Sequence, residues 1–408
     1  MSALLVFVMT IAVGLLEVGE LGEAYSRSLL KTVMITCSAL FFMALVGFNT
    51  AFAPTIGGVI GNPLYNGIFL GGFSTNTPGL LTGTWWSMTA AYFNTGLTVG
   101  PYFLFEAAFA SVTLALVGLV VLDKVKLSGF LLYSIPYFIL IWNLPAAWIW
   151  NPTGWLYLLG MRDFAGGLVV HAAAGAAGLG ILFQVWAEEK ARGFVASPAR
   201  ALNPSTGWLT IAILLLWVGW FGFNPGSVLA FNESALVVVL TTFLAASSAC
   251  LSLMFFQYLT IRKDPGLMYA VNGILMGLIV ITPLAGFVSP GSAVVLGLIS
   301  GPLYLQAETW FSTKRWFSDP IGLMPGHLIG GVFGVLMIAF FTQHAFAAAS
   351  GTSLPDGLLF GGGIQAFGQL GIETFGLLLT LVVVFVLSYV FTRIIANVLH
   401  GLTTDYKA

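Results

Sequence analysis

The sequence predicts an all-α polytopic membrane protein of eleven transmembrane helices, with its N-terminus outside and its C-terminus inside. Three observations predict it. Charged residues make up only 7% of 408 and apolar residues 58%, whereas a soluble domain carries about 25% charge. Apolar stretches of about 20 residues recur along the whole chain, each long enough as a helix to cross a hydrocarbon core of ~30 Å. The basic residues between those stretches fall almost entirely on one face.

Taken in order, the spans run roughly 3–22, 29–53, 100–122, 129–150, 164–187, 206–230, 235–259, 267–287, 291–309, 325–343 and 370–397. With the N-terminus outside, the inner loops hold Arg27, Lys31, Lys124, Lys126, Lys190, Arg192, Arg200, Arg262, Lys263, Lys314 and Arg315. The C-terminal end adds Arg393 and Lys407, leaving Arg162 as the outer exception among 14 basic residues. That asymmetry holds only if count and orientation are both right. The segment 54–99 has no charged residue and is rich in Gly, Thr and Asn. It reads as an outer loop lying on the membrane, with a re-entrant or twelfth span as the alternative.

Length alone would suggest two or three domains, but the recurrence assigns residues 1–408 to a single membrane domain placed in the cell membrane. Its half-repeats cover approximately 1–190 and 200–345, spans 1–5 and 6–10, with an extra helix near 370–397. Cys37 and Cys250 lie in apolar stretches and read as small packing residues. Met1 runs straight into an apolar stretch, so no cleavable signal peptide is expected. A net charge of −1 argues against nucleic acid as a partner.

Two of the four histidines sit deep inside spans. His171 follows Asp163 by eight residues, in Asp163-Phe-Ala-Gly-Gly-Leu-Val-Val-His171, and His327 follows Asp319 by eight, in Asp319-Pro-Ile-Gly-Leu-Met-Pro-Gly-His327. The first element begins a span from outside and the second begins one from inside. This is the pattern of an inverted repeat, whose functional residues meet near the bilayer midplane. Gly167, His171 and Gly175 share a helix face, as do Gly326, Gly330 and Gly334, which permits close helix contact. The bland reading of one intramembrane histidine is an interhelical hydrogen bond. Two at repeat-related positions in a bilayer point instead to a transport pathway. His344 and His400 lie near span ends and read as interfacial residues.

The Asp163–His171 stretch closely resembles the signature of the ammonium transporter family, which is related to the Rhesus proteins. Gly219-Trp-Phe-Gly-Phe-Asn224-Pro-Gly-Ser227 is similar to a second family motif, with Pro225 where alanine is usual. Gly273-Ile-Leu-Met-Gly277-Leu-Ile-Val-Ile-Thr282-Pro283-Leu-Ala-Gly286 is similar to a third, and Gly326-His327-Leu-Ile-Gly330-Gly331 falls where the second pore histidine belongs. The match runs in order from Phe105 to Gly334.

The resemblance implies a homotrimer in the bilayer, with ammonium or ammonia passing through a pore in each subunit. It implies an outer ammonium site of Trp150 and Phe109, twin pore histidines His171 and His327, and Asp163 as a support beside the outer site. Asn224 and Asp319 join the supporting set. Trp148 competes with Trp150 for the tryptophan role.

The departures are specific. Counted from Phe223-Asn224, the second gate phenylalanine falls on Val239, with Phe231 or Phe243 as substitutes. Gly322 stands where an aspartate is usual, and Glu106 where a glutamine is expected. Glu106 either adds negative charge to a vestibule or is hydrogen-bonded between helices. The first span carries Glu17-Val-Gly-Glu20-Leu-Gly-Glu23 in place of the family's Phe-Tyr-Gly-Gly. The tail that docks PII-type proteins is missing, so such a partner is not expected.

Such residues suit ammonium for a physical reason. A bare cation entering low dielectric pays tens of kcal/mol by Born estimates, while neutral ammonia loses only polar solvation. Aromatic faces attract the cation by ~0.5–2 kcal/mol each. Two neutral imidazoles, each with one donor and one acceptor nitrogen, can pass on its proton. The competing function is an ammonium sensor that binds and signals with little flux, and a signalling module beyond Ala408 would favour it. A Rhesus-like channel for ammonia or carbon dioxide is the third reading. An enzyme is not expected, since the polar set offers neither a nucleophile with a positioned base nor a metal cage, and no cofactor or metal is called for.

Overall fold

A computed structural model describes residues 1–22, 25–65, 67–71, 97, 99–121, 124–197, 204–319 and 321–403. Among the described residues, eleven helical rods stand where the apolar stretches lie. They are α1 (Ser2–Leu21), α2 (Tyr25–Phe42, continuing through Met43–Gly47 and Phe48–Phe52), α3 (Val99–Val121), α4 (Leu127–Ile149) and α5 (Gly167–Ala191). The second set is α6 (Thr206–Phe223), α7 (Glu233–Ile261), α8 (Leu267–Ile281), α9 (Pro290–Ser312) and α10 (Met324–Phe341), followed by α11 (Gly363–Val398).

Nine of these, among the described residues, are long and apolar enough to cross a membrane. The protein is therefore a multi-pass α-helical membrane protein. The other two rods are α8 and α9. Thr282-Pro283 follows α8, which stops after 15 residues because proline has no N–H to continue it. Polar and small residues interrupt α9, which also contains Pro302.

Rods at matching places in the two halves pack on each other: α1 lies along α6, and the first turns of α5 lie against α10. At that second crossing a Cβ on Gly331 would strike the Gly167 carbonyl, so only glycine lets the two backbones approach. Between them α3 is buried almost along its length. Outward faces of α7 and α11 keep Leu251, Phe255, Phe367 and Leu378 exposed, as a lipid-facing surface requires.

Among the described residues, π-helical turns fall inside two rods, at Met43–Gly47 and Tyr137–Ile141, and open two others, at Gly167–Ala172 and Met324–Ile329. Pro136 immediately precedes the second and Pro325 lies in the fourth, where a missing N–H and ring bulk force an extra residue into the turn. Backbone groups freed in a bilayer need internal partners. Asn143 donates to the Gly47 carbonyl, and the Thr50 hydroxyl lies 2.8 Å from the Gly47 oxygen and 2.9 Å from the Ile139 oxygen. The first two π turns are thereby tied to each other. The other two carry the histidines.

Of the uncharged segment 54–99, residues 72–96 lie outside the described residues, and the surface-loop and re-entrant readings lie there with them. What is described includes a small antiparallel hairpin pairing Thr55 with Gly61 and Ile56 with Ile60.

Candidate ammonium path

Asp163 sits in the loop before α5 and is buried. Its Oδ1 accepts from the Gly166 and Gly167 amides (3.0 and 2.7 Å), and its Oδ2 from Leu168 and Val169 (2.8 and 2.9 Å). Burial pushes its carboxyl above the usual range, and these four amides pull the other way. A neutral acid would have to keep a proton on an oxygen that already faces two N–H groups, so the cradle is shaped for the carboxylate. The backbone carbonyl of Asp163 in turn accepts from Trp150 Nε1 at 2.7 Å. One residue therefore starts the histidine helix and fixes the tryptophan.

From Trp150 a row of rings leads inward. Phe109 meets Trp150 edge-on at 5.9 Å and stacks on Phe223 at 4.2 Å with planes 23° apart. Phe223 lies 5.7 Å from the His171 ring, and Trp220, one turn earlier on α6, stacks on the same ring at 5.5 Å. His171 Nδ1 then stands 3.1 Å from His327 Nδ1. One ring must donate and the other accept, so a single proton lies on the line between them. His171 Nε2 has no hydrogen-bond partner among the described residues.

Phe223 corrects the sequence reading. The partner of Phe109 is not Val239, Phe231 or Phe243. Phe231 is 94% exposed, Phe243 packs on Trp217 and Phe221, and Val239 lines a separate apolar groove beside Phe105. The count along the chain ran past the break at Asn224-Pro225, whereas Phe223 sits at the very end of α6, on the path-facing side with Trp220. Trp148 also stands apart: its Nε1 donates to the Val59 carbonyl and its ring packs on Trp155.

The supporting residues join motifs distant in sequence. Asn224 Nδ2 donates to Thr242 at 3.1 Å, and its Oδ1 lies 3.2 Å from the Thr282 hydroxyl, which accepts from Trp220 Nε1 at 3.1 Å. Trp220 is thus held against His171 by a fully buried relay. Glu106 is buried in α3 and hydrogen-bonded to Tyr102, one turn earlier. Glu17 forms a buried ion pair with Lys31 of α2.

At the other end Asp319 repeats the cradle in reduced form. Leu323 N donates to Oδ1 at 2.9 Å and Met324 N to Oδ2 at 2.7 Å, the amides four and five residues on, as at Asp163. Burial holds this carboxyl up at about 6 against the amides of Met324, Leu323 and Gly322. Gly322, where an aspartate is usual, has φ +76° and leaves no room for a Cβ, which would come 2.8 Å from the Tyr304 hydroxyl. Beyond His327 the path opens into a cavity of ≈ 570 Å³ whose wall includes Tyr304, Asn272, Glu308 and Asp319.

The Ammonium Transporter Family model matches residues 1–405. The chain belongs to the ammonium transporter family. An ammonium transporter of Aquifex aeolicus is 31% identical over 398 residues, covering 95% of this chain and 86% of that one. The ammonium transporter of Bacillus subtilis is 29% identical over 403 residues, covering 97% and 90%. Among solved structures, one described as a "Sensor Amt Protein" aligns at TM-score 0.80 with 26% identity, over 99% of this chain and 93% of that one. Candida albicans Mep2 aligns at TM-score 0.82 and 23% identity, over 98% and 83%, which speaks for the fold alone. Membership in the family accounts for the multi-pass helical fold.

Proposed function

We propose that the chain carries ammonium across the cell membrane through one path per subunit of a homotrimer, with eleven spans and the Asp163 end outside. The observation that carries this reading is the continuous row Trp150, Phe109, Phe223, His171 and His327, flanked by a buried carboxylate and opening on a polar cavity. Trp150 and Phe109 recruit the cation by their ring faces, each worth ~0.5–2 kcal/mol. Asp163 holds Trp150 in place and adds negative charge to the recruiting end. The stacked pair Phe109–Phe223 closes the path to anything hydrated. Past that closure a bare cation would pay tens of kcal/mol, so ammonium gives up its proton and ammonia continues. His171 and His327 share a proton line and supply the acceptor. Potassium has no proton to surrender, which is the basis of selectivity.

A second reading is favoured by the likeness to a structure described as a sensor and by a gate whose rings are in direct contact: the chain binds ammonium and signals with little flux. A paired measurement separates the two. Calorimetric ammonium binding is measured on the purified protein, and ammonium-evoked current on the same preparation in proteoliposomes. Transport predicts both signals, with His171→Asp and His327→Asp altering current more than affinity. Binding without current replaces transport by sensing.

A further inference from the structure

Glu20 is the feature that this reading leaves unused. It lies near the inner end of α1, is 1% exposed, and neither carboxylate oxygen has a hydrogen-bond partner among the described residues. An ionisable group in a membrane-spanning helix faces lipid only at high cost, and an unpaired buried carboxylate needs a counter-charge. No ion pair recorded for the described residues includes it, whereas its neighbour Glu17 on the same helix is matched with Lys31.

Its direction follows from helix geometry. Residues four apart share a face, and Leu16 lines the narrow neck between His327 and the cavity, together with Tyr304, Asn272 and Gly322. Glu20 therefore lies one turn beyond Leu16 on that helix face, toward the neck's wide end. Consistent with this, Asp319 and Tyr304 are both within electrostatic range of it. Tyr304 is hydrogen-bonded to Glu308, which lines the cavity with Asp319, Tyr269 and Asn272. The basic groups on the same wall are Lys314 and Arg315, and Lys314 stands 3.8 Å over the Trp310 ring. Glu308 and Asp319 thus line the cavity below the histidine pair, and Glu20, buried with both oxygens unpartnered, lies within electrostatic range of Asp319.

We propose that this end of the path holds a second cation site, formed by Glu20, Glu308 and Asp319 with Tyr304 and Asn272, that takes ammonium. The inference rests on the ammonium reading of the path. The chemistry selects the ligand. The site offers acceptor oxygens in excess of donors, and ammonium supplies four N–H donors on a single positive charge. A chloride or a carboxylate would meet repulsion there. The outer site attracts the cation with rings, and this one attracts it with formal charge. It holds the ion that re-forms when ammonia that has passed His327 takes up a proton, from the histidine pair or from water in the cavity, or the ion arriving from the inner side.

The test is calorimetric titration of ammonium chloride into the full chain purified in detergent, where both ends are open to solvent. The wild type is expected to show two sites per chain. Glu20→Gln should weaken one at least tenfold and leave the other, while Trp150→Leu should do the reverse. Glu308→Gln, a change on the cavity wall that does not touch the buried carboxylate, should weaken the same site as Glu20→Gln by several-fold. It carries the test if Glu20→Gln fails to fold. A single wild-type site, lost in Trp150→Leu and unchanged in Glu20→Gln or Glu308→Gln, overturns the second site and leaves the outer one standing. A site lost in Glu20→Gln and unaffected in Trp150→Leu supports the second site and overturns the outer assignment. Absence of any ammonium binding overturns both.

Discussion

Asp163 and Asp319 stand eight residues before their histidines, and each carboxylate receives the amides four and five residues on. There the likeness stops. Asp163 takes two further amides, is buried, and holds Trp150 through its backbone carbonyl. Asp319 is half-buried on a polar cavity wall beside a glycine in left-handed conformation. The shared part sets the position and direction of a histidine in the second half of a π turn. On the proposed reading, the unshared part decides what would wait beside it: a cation among rings at one end, and a cation among carboxylates at the other. A duplicated device can thus be kept for its geometry while each copy's surroundings are reassigned.

The largest effect should come from removing each carboxylate in turn. Asp163→Ala orphans four buried amides and should cost roughly 3–5 kcal/mol, counting part of the desolvation penalty of each. Asp319→Ala orphans fewer amides, and the adjacent cavity can admit water to them, so about 1–3 kcal/mol is expected. Thermal unfolding of the two variants in one detergent checks the order. Equal losses would break the comparison, because the two cradles would then be energetically alike.

Next in size is the recruiting end. Trp150→Leu keeps apolar bulk and loses the ring quadrupole, about 1–2 kcal/mol, which is roughly a 5- to 30-fold weaker ammonium affinity. Trp148→Leu, whose ring packs on Trp155 away from Phe109, should stay within about twofold. Isotherms for both variants decide between the two tryptophans. A weaker affinity in Trp148→Leu alone would move the outer site. For the gate, Phe223→Leu should alter ammonium-evoked current, and Val239→Leu should leave it as in the wild type. The reverse outcome would restore the count made along the chain.

Much of this was legible in the sequence, and the reasons differ by element. The rods announce themselves because a bilayer tolerates few charges, and the paired Asp-x7-His elements because histidine is scarce among so many apolar residues. Trp150 and Phe109 are picked out by their place in the motifs, not by their chemistry, since 34 phenylalanines offer no contrast, and the structure sets the two rings edge to face. Phe223 was missed although its signal was present: it sits three residues after Trp220, on the same turn of helix, inside the motif already quoted. Counting onward past Asn224-Pro225-Gly226 left that helix and landed on α7. The isolation of Glu20 was not legible at all. A string of three glutamates in a first span shows that charge is present. Only the packing shows that Glu17 finds Lys31 and that Glu20 is buried with no hydrogen-bond partner among the described residues.

The smallest expected effect concerns two glycines four residues apart on the Asp319 side. Gly322 has φ +76°, a conformation that costs an L-residue about 1–2 kcal/mol. A methyl there would also press on the hydroxyl end of Tyr304, and that ring is buried and has little room to yield. Gly322→Ala should therefore lower stability by about 1–2 kcal/mol. Gly326 lies in the π turn just before His327, and a Cβ there would meet Ile279 no closer than 4.0 Å. Gly326→Ala should be neutral, or stabilising by up to about 1 kcal/mol through the lost freedom of the unfolded chain. If Gly322→Ala proves as harmless as Gly326→Ala, the backbone does not require glycine at that position. The missing aspartate would then be a free choice of side chain, not a consequence of the turn that lets Asp319 reach Leu323 and Met324. If the pair separates as expected, the turn disfavours a side chain at 322, and Asp319 is the carboxylate left to this half for the amides of Leu323 and Met324.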